Sequence, residues 1–233
     1  MTGMVRGVMF DFSGTLMRSE SVEEWLGAVL ADTAVSVDGE EFSDWVRRLT
    51  ECGALPGGPA PQRIPARLER LWRERDLGAD QHREAYSGLI AEAGLPRAEL
   101  IPALYDRHKA PAAWRPYPDT QATLRELRRR GIPVAVVSNI GWDLRPVFRA
   151  HGLDGLVDAY ALSFELGARK PDPAIFRSAC DTLGLAPSDV LMVGDNHAAD
   201  GGAEALGCPV RFVDHLPVDQ RPAGLAPVLE LLG

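Results

Sequence analysis

An α/β fold, built as a doubly wound parallel sheet with a long helical insertion, is what these 233 residues predict. Three observations predict it. Five short apolar runs, each bounded by Gly, Pro, Asp or Asn, read as strands buried on both faces. Helical patterns separate the later runs, and such alternation implies right-handed βαβ units. Between the first run and the second, from Met17 to Arg115, no strand pattern appears.

In chain order, the first strand is "VRGVMFDF", ending at Asp11 and Phe12. The insertion follows, with Leu, Ala, Arg, Glu and Trp at helical spacing in "SVEEWLGAVLAD", "EEFSDWVRRLTECG", "ARLERLWRERD" and "QHREAYSGLIAEAG". A Pro/Gly loop from Pro56 to Pro65 divides these helices into two pairs, and "HKAPAAWRPYP" returns the chain to the sheet. A helix "PDTQATLRELRRR" then stops at Gly131, before the strand "IPVAVVSN". The rest alternates "DLRPVFRAHG" with "VDAYALS", "PDPAIFRSACDTLG" with "DVLMVGD", and "NHAADGGAEALG" with "CPVRFVD". Residues 1–16 and 116–233 are therefore expected to form the sheet domain, and 17–115 a helical domain set into it.

Composition excludes several classes of function. A net charge of -8 disfavours nucleic acid as a partner, because such binders present basic stripes to phosphates. No apolar window approaches the ~20 residues of a membrane span. The first strand reaches Asp11 too soon for a secretory leader, so a cytoplasmic protein with no membrane partner is expected. Cys52, Cys180 and Cys208 are odd in number and widely spaced, and read as buried thiols rather than a disulfide or zinc framework. Trp25, Trp45 and Trp72 sit at helical spacing and read as core anchors. His82 and His108 lack metal-ligand spacing and read as surface or capping residues.

Ligands of open parallel sheets gather outside the carboxyl ends of the strands, which gives weight to Asp11, Ser138 with Asn139, and Gly194 with Asp195. Taken singly, each also reads as a cap on the helix that follows. Together they form a chemical set. Asp11 can act as a nucleophilic carboxylate, while Asp195 and Asp200 add hard oxygens of the kind Mg²⁺ prefers. Ser138 and the backbone amides around Asn139 can donate to phosphate oxygens at a helix start. Lys170, one of two lysines in the chain, suits charge neutralisation between a carboxylate and a transferring phosphoryl group. The other, Lys109, reads as a solvated cation.

With these residues in this order, the chain resembles the haloacid dehalogenase-like hydrolase superfamily. "DFSGT" looks like its first motif, "SN" its second, Lys170 its third and "GDNHAAD" its fourth. The resemblance implies a Rossmann-like core with a helical cap inserted after the first motif. It also implies a magnesium-dependent hydrolase acting on a small phosphorylated substrate. Asp11 would attack phosphorus to give an aspartyl-phosphate, and Mg²⁺ would be held by Asp11, the carbonyl of Ser13 and Asp195. Asp200 would support the metal shell or orient Lys170, and Thr15 and Ser138 would hold the transferring group.

The chain departs from the family pattern at Ser13, where a second Asp usually protonates the leaving alcohol and then activates water. Metal-free dehalogenases of the superfamily also lack that Asp, but they do not keep the Gly-Asp of the fourth motif, which is present here as Gly194-Asp195. Ser13 keeps a backbone carbonyl for a metal but offers no carboxyl for proton transfer. Alkyl phosphates are therefore expected to be poor substrates, and acyl or aryl phosphates better ones. A phosphotransferase and a binding module without turnover stay open, as does proton transfer by His197 or a cap group. Arg18 could meet an anionic substrate or lie on a solvated helix face.

Overall fold

The computed structural model describes residues 5–232. The chain begins with β1 (Gly7–Phe10) and β2 (Met17–Ser19), then enters the insertion through α1 (Val22–Thr33), α2 (Gly39–Glu51), α3 (Glu69–Glu74), α4 (Ala79–Glu92) and α5 (Leu100–Arg107). It leaves by β3 (Trp114–Pro116) and continues as α6 (Thr120–Arg129), β4 (Val134–Ser138), α7 (Arg145–Ala150), β5 (Ala159–Leu162) and α8 (Ser163–Leu166). The last part holds α9 (Pro173–Leu183), β6 (Val190–Gly194), α10 (His197–Asp200) and β7 (Val210–Phe212).

Five strands make one sheet in the order β5-β4-β1-β6-β7, every pair parallel. The α/β doubly wound class read from the sequence is the fold observed. Because side chains alternate along a strand, Val8 and Phe10 point to one face and Met9 to the other. Each face has its own apolar layer: Phe10, Val136, Val193 and Phe148 on one side, Met9, Val137, Met192 and Phe176 on the other. The chain leaves β1 for β4 on one side and later reaches β6 on the other, so β1 lies at the switch in winding where a crevice opens.

The insertion packs around a third apolar cluster, with Trp25, Leu26, Trp45, Leu49 and Leu104 at its centre. Ser21 opens α1 with a capping box, its hydroxyl accepting from Glu24 N while the Glu24 carboxylate accepts from Ser21 N. Several expectations for this region need correction. Its two ends are not strand-free: Met17–Ser19 pairs antiparallel with Trp114–Pro116, so entry and exit form one two-stranded tie. The segment "ARLERLWRERD" is a six-residue helix flanked by tight 3₁₀ turns at Ala66–Leu68 and Arg75–Leu77, and α5 is a further helix beyond the two pairs. In the sheet domain, "NHAADGGAEALG" gives one α-turn and then a 3₁₀ segment, Gly201–Leu206, where the Gly pair weakens the helix. Cys52 is half-buried rather than buried, and Cys180 and Cys208 are buried. No helix among the described residues is long and apolar enough to cross a membrane.

His82 and His108 are not surface residues. Both are buried, His82 Nδ1 lying 2.9 Å from the Tyr105 hydroxyl and His108 Nδ1 bonding to the Tyr105 carbonyl. Polar neighbours in sequence hide an aromatic setting supplied by Tyr86, Tyr105 and Trp142. Burial pulls His82 well below the usual imidazole range and His108 down to about 3. A histidine whose folded pKa is depressed contributes its full stability above about 6.5, and that contribution is lost as pH falls towards the folded value. Urea unfolding of the parent at pH 7 and pH 5 is expected to show a loss about 2 kcal/mol larger than in His108→Gln, which cannot be charged. Equal losses would overturn this assignment.

Candidate active site

The carboxyl ends of β1, β4 and β6 deliver the site. Asp11 follows β1, anchored by its N–H donating to Val193 O at 2.9 Å, and its carboxylate is buried. Lys170 Nζ donates to Asp11 Oδ1 and to Asp200 Oδ1, both at 2.6 Å, and is itself buried. Asn139 sets this lysine in place: its Oδ1 accepts from Lys170 N at 2.7 Å and its Nδ2 donates to Lys170 O at 2.9 Å. The side chain of Asn139 is thus spent on holding Lys170, while Ser138 beside it lines the cavity.

Asp195 follows β6, and carboxylate oxygens of Asp11, Asp195 and Asp200 lie within 4.8 Å of one another. Asn196 caps the short α10 by accepting from Ala198 N and Ala199 N, and Asp200 Oδ2 accepts from Asn196 N at 2.9 Å. Thr15 is fully buried, and its hydroxyl donates to Asp195 Oδ1 at 3.4 Å, so it positions Asp195 and does not reach the cavity. Ser13 does line the cavity. The insertion's Pro/Gly loop closes over it: Gly57, at φ +78°, comes so near that an added Cβ would meet Ser13 Oγ at 3.0 Å.

Electrostatics at this cluster is one-sided. Burial raises the Asp11 carboxyl, Lys170 opposes the rise, and Asp200 and Asp195 add to it, leaving the group at about 8. Burial works against the Lys170 charge, yet the carboxylates of Asp11 and Asp200 outweigh it and hold the ammonium above its usual range. Burial also opposes the charge on Asp195, but a hydrogen bond from His215 helps keep its carboxyl below the usual range. Three acidic side chains face one ammonium in a buried place, more carboxyl oxygens than the lysine can pair. That is the donor chemistry of a hard divalent cation, so the residues fit Mg²⁺.

His215 and Arg221 escaped the sequence reading. His215 Nδ1 pairs with Asp195 Oδ2 and its Nε2 with Arg18. Arg18 therefore lies on β2, bound to His215, rather than on a helix face. The signal for His215 was available: it follows the carboxyl end of the last strand, where the same strand-end rule applies. Arg221 is buried beneath the first-motif loop, donating to Gly14 O at 2.7 Å and to Thr15 O, with its guanidinium 3.2 Å from the Tyr117 ring centroid. His197 instead stacks on Phe212 and lies outside the cavity, and Lys109 pairs with Asp106 at 2.7 Å.

Above the carboxylates lies a cavity of about 330 Å³. Its walls include the expected core residue Trp72, which is half-buried and faces the cavity, together with Arg75 and Asp76 from the 3₁₀ turn that breaks the third predicted helix.

Residues 5–207 match the haloacid dehalogenase-like hydrolase family. The chain is 31% identical over 225 residues to a phosphoserine phosphatase of Thermus thermophilus, covering 89% of this chain and 88% of the relative. It is 33% identical over 154 residues to (S)-2-haloacid dehalogenase 4A of Burkholderia cepacia, covering 60% and 66%. Its structure is similar to that of L-2-haloacid dehalogenase from Xanthobacter autotrophicus, with a TM-score of 0.61 and 25% identity over 99% of this chain and 85% of that one.

Proposed function

Because the chain belongs to the haloacid dehalogenase-like hydrolases, we propose that it is a magnesium-dependent phosphatase acting on a small phosphorylated metabolite through an aspartyl-phosphate on Asp11. The observation that carries this reading is the placement of Asp195 beside Asp11 and Asp200, which gathers more carboxyl oxygens than Lys170 can pair. A metal-free reaction needs only the nucleophile and a place for the leaving group, and gains nothing from that surplus.

In this reading Asp11, the Ser13 carbonyl and Asp195 hold Mg²⁺, which supplies charge stabilisation for the transferring phosphoryl group. One Asp11 oxygen stays with Lys170 while the other attacks phosphorus. Lys170 neutralises charge between the carboxylate and the phosphoryl group, and Ser138 donates to a phosphoryl oxygen. Asp200 keeps the ammonium aimed, Asn139 fixes its backbone, and Thr15 with His215 orients Asp195. Residues 17–115 act as a cap, with the β2–β3 tie as its base and the Gly57 loop as its contact with Ser13.

Two of the three similar proteins named above are dehalogenases, and the same carboxylate could attack carbon without metal. Chelation separates the two readings. Phosphate release is expected to vanish in excess chelator and return with Mg²⁺, and Asp195→Asn to lower it by roughly 10²-fold or more. Activity indifferent to both would point to the metal-free reaction.

A further inference from the structure

Aromatic rings make up part of the cavity lining. Phe12, Trp72, His82, Tyr86, Trp114 and Trp142 all contribute to it. Phe12 and Trp114 come from the sheet domain and the β3 return, Trp142 from the loop after β4, and the other three from the insertion. Phe12 and His82 are buried behind the others, packed on Trp114 and Tyr86, so Trp72, Tyr86, Trp114 and Trp142 supply the ring surface that reaches the cavity. Beside Trp72, with its guanidinium 3.9 Å from that ring's centroid, sits Arg75, whose Nε is buried and has no hydrogen-bond partner among the described residues. A buried donor left unpaired costs free energy that a ligand acceptor would recover.

Resting on the phosphatase reading, we infer that the substrate is an aryl phosphate: the monoester of a phenol-type hydroxyl on a flat ring that also bears an oxygen acceptor for Arg75. A small acyl group would leave the aromatic wall unfilled, whereas a flat ring buries its faces and edges against it. The chemistry at Ser13 agrees. The Asp11 oxygen forms a bond to phosphorus as the bond from phosphorus to the aryl oxygen breaks, and the electron pair leaves on that oxygen. A phenol-type hydroxyl has a pKa near 10, so its anion departs without the acid that Ser13 cannot supply. Water then adds to phosphorus, releases Asp11, and passes its proton to solvent, from which the aryl oxide is protonated.

The test uses the magnesium-loaded protein. Binding of phenylphosphonate and methylphosphonate is measured by calorimetry, and phosphate release from phenyl, 4-carboxyphenyl, ethyl and acetyl phosphate is measured alongside. Phenylphosphonate is expected to bind roughly tenfold or more tightly than methylphosphonate, with the difference reduced in Trp142→Leu. The preference for 4-carboxyphenyl over phenyl phosphate is expected to fall in Arg75→Gln, through KM rather than kcat. Equal binding of the two phosphonates, with acetyl phosphate still cleaved, would overturn the aryl substrate and leave the phosphatase reading standing. No release from any of the four would remove the phosphatase reading, and the aryl substrate with it.

Discussion

Asp11→Asn is expected to abolish phosphate release, by at least ~10⁴-fold, while raising the stability of the metal-free protein. The two effects share one cause. The folded pKa of Asp11 stands at about 8, raised by burial and by its neighbours Asp200 and Asp195. A carboxyl raised in this way contributes stability below its unfolded pKa, and that contribution is lost as pH rises through about 8. Near pH 8, part of the population therefore carries a charge that the folded state resists. Asparagine keeps an oxygen for Lys170 and removes the charge, and Lys170 keeps its pair with Asp200. Urea unfolding in chelator at pH 8 should place the variant ~1–3 kcal/mol above the parent, and the gap should narrow at pH 5. A variant less stable than the parent under both conditions would contradict this account of the cluster.

Ser13→Asp is expected to accelerate an alkyl phosphate selectively, by ~10²–10⁴-fold, with a much smaller gain on an acyl or aryl phosphate. The backbone carbonyl at this position is unchanged by the substitution, so metal binding should survive. What is added is a carboxyl at the cavity wall, where the leaving oxygen of an alkyl ester needs a proton. The Gly57 loop closes on Ser13, so the longer side chain must find room beneath it. A parallel Ser13→Asn variant, similar in size but unable to transfer a proton, separates crowding from chemistry. Equal rates for parent and Ser13→Asp on the alkyl substrate would refute the proton-transfer account.

Much of this was legible in the sequence, for physical reasons. Strands buried on both faces read as continuous apolar runs, so the polar residues that end them stand out, and Asp11, Ser138, Asn139 and Asp195 meet at one sheet edge. The cap side was less legible. Arg75 carries no local signal, because it is the 3₁₀ turn at Arg75–Leu77 that breaks the helical pattern beside the cavity, and Trp72, a core anchor packed on the insertion's apolar cluster, lines the cavity as well. His82 and His108 needed partners from other helices to become buried, which no local pattern records. Arg221 is the extreme case, since its meaning lies in two carbonyls more than two hundred residues earlier, at Gly14 and Thr15.

That last contact has a consequence for how the protein is made. During synthesis the segment bearing Asp11 emerges early, and β1 cannot take its place in the sheet until β4 and β6 have followed. The loop after it waits longer still, because the guanidinium that gathers its carbonyls belongs to residue 221. Contacts of such long sequence separation form late, after the loop-closure entropy of nearly the whole chain has been met. A ribosome-bound chain halted before that residue would therefore hold Asp11 without the clasp that shapes its loop, and a complete site would arrive as one of the final events of folding.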